Sequence, residues 1–116
     1  MTERPLNAAL SAWSDADYRE YVEVTTDGLP QDWTGWTGLE LVAVESLAAS
    51  SITLVGTVTA APGKLLIAID QATLAAVLGS RSRVSIAYVV RARPTGTYRI
   101  RLMYGVLNIS RGLPNA

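Results

Sequence analysis

The side chains best suited to acid–base or metal chemistry are scarce in this chain of 116 residues, which contains no histidine and no cysteine. Without them there are no disulfides, no zinc–thiolate sites and no thiol nucleophile, and the commonest general base and metal ligand is missing. Ten carboxylates remain, and a carboxylate pair does acid–base work when two groups flank one substrate bond. Here the acids stand singly along apparent strands and turns and form no motif. No catalytic, metal-binding or cofactor-binding residue is assigned, and the chain is read as a non-enzyme.

Two groupings carry interaction chemistry instead. The stretch "DGLPQDWTGWTG" (residues 27–38) sets Trp33 and Trp36 three residues apart among turn formers. One reading is an aromatic shelf for sugar stacking, with Trp13 or Tyr21 beside Trp36. The structural reading has Asp32 accepting local backbone N–H bonds in an Asx-type turn, Gly35 adopting positive φ, and the Trp33 indole packed under a sheet edge with Trp36 beside it. The second grouping is Arg91, Arg93, Arg99 and Arg101, which flank one expected hairpin. Zero net charge and the lack of an interleaved aromatic ladder argue against nucleic acid. Arginines suit a protein interface, where they pair with carboxylates in bidentate fashion. Alternatively they pair with Glu20, Glu23 or Glu40 on neighbouring strands of the same molecule.

The charge is unevenly spread. Residues 1–45 hold nine acids and two bases (2 − 9 = −7), and residues 46–116 hold eight bases and one acid (8 − 1 = +7). Such a split suggests association between copies, and it is equally met by acidic strands lying beside basic ones within one molecule. The apolar share of 49% with 17% charged residues is globular, and the length suits one domain. No apolar run approaches the roughly 20 residues that cross a bilayer, so a soluble chain without membrane contact is expected. The start "MTERPLNAAL" opens with an acid and lacks the basic segment and the apolar segment of roughly 7–15 residues that mark a secretion signal.

The elements that must position these groups read mainly as strands. "YREYVEV" (18–24), "LELVAV" (39–44), "SITLVGTVTA" (51–60), "LLIAID" (65–70), "RVSIAYVV" (83–90), "TYRIRLMYG" (97–105) and a last strand "GVLNIS" (105–110) alternate or are rich in β-branched residues. Turn signals stand at Asp27-Gly28 and at "RPTG" (93–96). One short helix fits "DQATLAAVLGS", with Asp70 as N-cap and Gly79 as stop. Residues 1–17 are expected as an N-terminal arm, although Leu6, Ala9, Leu10 and Trp13 also have helical spacing. Residues 18–116 are expected as an all-β domain: a single antiparallel, immunoglobulin-like β-sandwich of about seven strands.

In order, these features resemble the N-terminal β-sandwich domain of bacteriophage baseplate upper proteins and related phage tail and neck structural proteins. The likeness runs from about Tyr18 to Arg111. It rests on "REYVEVTTDGLPQDWTGWTGLELVAV", then "GKLLIAID", the short helix "QATLAAVL", "VSIAYVV", and "RIRLMYGVLNIS". The resemblance implies a structural component of a tailed-phage virion, assembled in the host cytoplasm as a tail, baseplate or neck connector. Its partners would be other virion proteins and copies of itself, with the acidic strands of one copy meeting the basic hairpin of a neighbour. The alternatives are a capsid decoration protein and a glycan-binding adhesion module.

Overall fold

Alternation with a period of two dictates most of the elements. A computed structural model describes residues 6–45, 52–94 and 98–112. The first residues of the expected arm, the start of the expected strand at Ser51, much of the turn at 93–96 and residues 113–116 lie outside them. Strands form at β1 (Leu6–Asn7), β2 (Leu10–Trp13), β3 (Tyr18–Glu23), β4 (Thr25–Thr26), β5 (Leu29–Pro30), β6 (Thr37–Val44), β7 (Leu54–Ala61) and β8 (Lys64–Ile69). The helix α1 (Gln71–Leu78) follows, then β9 (Arg83–Arg93) and β10 (Ile100–Ser110). In β7, Leu54, Gly56 and Val58 are buried while Val55, Thr57 and Thr59 are exposed.

The protein is mostly β with one short helix, but its strands form one mixed sheet nearly closed into a barrel, which corrects the expected antiparallel sandwich. The strand order is β1/β2, β10, β9, β6, β7, β8, β3. Both β1 and β2 pair with β10, so eight strands occupy seven positions. These two run parallel to β10, whereas the other neighbours are antiparallel. Alternation tells which side chains face inward. It is satisfied equally by two sheets packed face to face and by one sheet coiled until its inner face meets itself. Strands β4 and β5 form a separate hairpin across Asp27-Gly28, with φ values of 53° and 80°.

Two further differences concern β10. The segment "GVLNIS" is not a separate strand, because β10 runs through Gly105, which pairs with Tyr88 on β9. Segment 10–13 pairs with β10 from Leu10↔Leu107 to Trp13↔Ser110, burying Leu10 and Ala12 and exposing Ser11 and Trp13. Gly105 makes the approach of this N-terminal segment possible. A Cβ there would lie 2.3 Å from the Ala8 carbonyl oxygen, which also accepts the Tyr88 hydroxyl proton.

The inner face and α1 share one core, in which Leu41, Ile67, Val90, Leu107 and Ile109 have essentially no exposure. Leu74 and Leu78 bring the helix into it, each contributing about 1.5–3 kcal/mol of transfer free energy. Asp70 holds the N-cap position with extended backbone but makes no side-chain cap. The carboxylate that accepts the Gln71 N–H, at 2.7 Å, is that of Asp17 from the β2–β3 connection. The Gln71 side chain donates to the Ser14 carbonyl at 2.7 Å. At the other end Arg111 donates to the Gly79 and Arg81 carbonyls at 3.0 and 2.7 Å, which suits the negative end of a helix.

Candidate interaction surface

The connection from β5 to β6 folds around Asp32. Its Oδ1 accepts the Thr34 hydroxyl at 2.7 Å and the Thr34 N–H at 3.0 Å. These bonds, the hydroxyl's above all, hold the Asp32 carboxyl below its usual range. Gly35 sits at φ 83°, and Trp36 N–H closes the turn on the Trp33 carbonyl at 3.0 Å. Trp33 is partly buried against the core, and its indole N–H donates to the Ala61 carbonyl at 2.8 Å. Trp36 meets it edge to face, with ring centroids 4.9 Å apart. A hollow of about 320 Å³ beside Trp33 is lined by Gln31, Asp32 and Thr34 on one side and Ala60–Pro62 on the other. Asp32 and Thr34 bond to one another within the loop, while the Trp33 indole and the Gln31 carbonyl, which accepts the Gly63 N–H at 3.0 Å, fasten the crossover to the β7–β8 turn.

The arginines are brought together only in part. Arg91 donates through Nε to Glu40 Oε1 at 2.7 Å, with both side chains about one-third exposed or less. Register places Glu40 opposite Arg91 and Arg91 opposite Arg101, so the three form one row on the outer face. Glu40 is bonded to Arg91, and no ion pair to Arg101 is found among the described residues. Arg93 stands opposite Thr37 with its stem beside Gly38, and Arg99 is exposed just before β10.

Glu20 and Glu23 do not join this row, because β3 is separated from β9 by β6, β7 and β8. Glu20 shares the inward parity of Tyr18 and Val22, and it accepts the Tyr18 hydroxyl proton. Burial and then this bond push the Tyr18 phenol above its ordinary range. Burial, with a smaller effect of the Glu20 charge, pushes Tyr88 up to about 12. Glu23 stands opposite Lys64. A second ion pair joins Arg81 to Glu45 at 2.7 Å. Both pairs link acids of residues 1–45 to bases of the rest, so part of the −7/+7 split is cancelled inside the molecule.

Next to the arginine row lies a feature that the strand-by-strand reading passed over. Across four strands, Val55, Val42, Val89 and Tyr104 form one outward row, and Val44, Ala87 and Val106 form the next. Val55 is 57% exposed, Val106 43% and Tyr104 38%, while Val42 at 7% forms the floor. Val42, Val44, Ala87, Val89, Arg101 and Tyr104 line a hollow of about 290 Å³. The Ser85–Asn108 hydrogen bond, 2.6 Å long, bounds the face on the side away from the arginines. Four strands at ~4.8 Å and two rows at ~6.7 Å give an apolar patch of roughly 250 Å². The signal for it was present in "LVAV" and "IAYVV", whose apolar residues occupy both faces of their strands.

No protein-family model matches the chain, and no curated protein matches it either. Among the described residues there is no group of three or more potential metal ligands, and no helix is long and apolar enough to cross a membrane. Among the described residues, the outer valine face with its arginine border and the tryptophan-braced crossover are surface features with interaction chemistry.

Proposed function

We propose that this chain works by binding, as a structural component of a tailed-bacteriophage virion that joins other components in the tail, baseplate or neck. The observation that carries the binding reading is the outer face of β7, β6, β9 and β10. It presents an apolar patch beside a row in which Arg101 stands opposite Arg91, whose guanidinium is bonded to Glu40. Sheet faces of this kind suit association better than small-molecule chemistry, because an apolar centre with a charged border is the ordinary anatomy of a protein interface. The virion setting rests on the ordered resemblance between Tyr18 and Arg111. A cryo-electron microscopy map of the particle made by the genome encoding this chain tests both. Density for the barrel with its valine face covered by a neighbour is the expected result. Particles complete in all their components without the chain would refute the reading.

A further inference from the structure

We propose that the outer valine face receives the edge strand β3 of a second copy of this chain, with Tyr21 filling the hollow and Glu23 pairing with Arg101. This deepens the assembly reading above and rests on it. The receiving side has an unfilled need on two counts. Arg101 stands directly opposite Arg91, and the Glu40 carboxylate is already bonded to Arg91, so a further carboxylate would relieve a like-charge cross-strand pair. The hollow beside Arg101 is apolar and open, and a tyrosine ring is among the side chains most often found anchoring such sites.

The donating side offers the matching pattern. Strand β3 ends the sheet order, and Arg19, Tyr21 and Glu23 share its outward face, with Tyr21 66% exposed. The contact found on the Tyr21 ring is Lys64, whose Nζ lies 5.9 Å from the centroid. Tyr21 and Glu23 are two residues apart, about 6.7 Å along a strand. On β9, Val89 in the apolar row and Arg91 in the arginine row have the same separation. A ring seated over Val42 and Val89 therefore brings Glu23 to the arginine row. In the opposite direction the stem of Arg19 crosses the second valine row, carrying its head toward the polar border at Ser85 and Asn108.

Area and symmetry set the character of the contact. A stable interface covers about 800 Å² per partner, so the ~250 Å² apolar patch supplies only its centre and the charged border must contribute. Association should then be salt-sensitive. Around the nearly closed sheet β3 is three positions from β6 by way of β8 and β7, and three from β9 by way of β1/β2 and β10, so the two faces point away from each other and a copy cannot use both on one neighbour. The contact is head to tail and grows into a ring or filament.

Sedimentation velocity of the full chain over a concentration series tests this, at ~10 mM and ~1 M ionic strength, where charges are screened over about 30 and 3 Å. Wild type should form species larger than a dimer at low salt and fewer at high salt. Tyr21→Ala and Arg101→Glu, both at exposed positions and checked for folding by circular dichroism, should each weaken association at least ~30-fold. Mixed together, they should form a one-to-one dimer that grows no further, because each retains the face that the other has lost. A wild type that stays monomeric, variants that associate like wild type, or a mixture that forms no dimer would each overturn the proposal. A monomeric chain that is nonetheless found in the particle map would refute the self-contact and leave the virion reading standing.

Discussion

Replacing Trp33 by alanine should destabilise the fold by about 3 kcal/mol. A tryptophan buries 150–250 Å² when enclosed, and Trp33 is partly enclosed, so about 100 Å² at ~25 cal/mol per Å² contributes about 2.5 kcal/mol. The indole bond to the Ala61 carbonyl and the edge-to-face contact with Trp36 are worth about 1 kcal/mol each. Water replaces part of both at this exposed site, which brings the total back to about 3 kcal/mol. For a domain of this size the melting temperature should fall by about 12 °C. Urea unfolding followed by far-ultraviolet circular dichroism measures the loss without relying on tryptophan emission. Trp33→Phe keeps most of the packing, removes the N–H, and should cost about 1 kcal/mol. A loss below ~1 kcal/mol for the alanine variant, with an unchanged denaturant slope, would refute the bracing role and return the indole to ligand binding.

Other perturbations address the closure and the arginine row. Gly105→Ala places a methyl group 2.3 Å from the Ala8 carbonyl oxygen, so β1 should be pushed from β10 at a cost of about 1–3 kcal/mol. Hydrogen exchange should then accelerate at the Ala8 amide, which donates to the Tyr104 carbonyl, and unchanged protection would contradict the packing. Glu40→Gln leaves Arg91 facing Arg101 without a carboxylate and should cost about 1 kcal/mol at low salt. Most of that loss should be recovered in 1 M salt (Debye length about 3 Å), and a salt-independent loss would argue against repulsion. Tyr88 titrates near 12 in the folded chain against about 10 when unfolded. Its contribution is whole below pH 10 and fades as pH rises from about 10 to 12, since only the unfolded form releases the proton there. Tyr88→Phe should flatten that part of the stability curve, and an unchanged alkaline slope would assign the loss to other groups.

Most strands could be read from the chain because the inner face is so consistently apolar. Leu65, Ile67 and Ile69 alternate with residues on the outside as plainly in sequence as in space. The Asp27-Gly28 turn and the positive φ at Gly35 were legible for a similar reason, since local backbone geometry restricts residue type. Closure was not legible. Whether Leu41 and Ile67 face each other across two sheets or around one depends on the coiling of long strands, to which no single residue type corresponds. Nor does Leu10 announce that its partner is Leu107, because parallel pairing over such a separation leaves no local mark. The helix cap shows the same limit on a smaller scale. Asp70 has the right type and position, yet the working carboxylate is Asp17, brought in by tertiary structure. On the surface, Glu40 was one of three candidate partners for the arginines, and only strand order separates it from Glu20 and Glu23.

The pairing of β1 and β2 with β10 also orders events during synthesis. Leu6 meets Met103 and Leu10 meets Leu107, so a ribosome adding 5–20 residues per second makes the first of these strands roughly 5–20 s before its partner. Through that interval Leu10 and Ala12 have no β10 on which to close. The barrel therefore cannot mature from its N-terminus outward. Its last contacts form only once β10 has emerged, and with so many distant pairings the whole chain should fold on the slow side for its size.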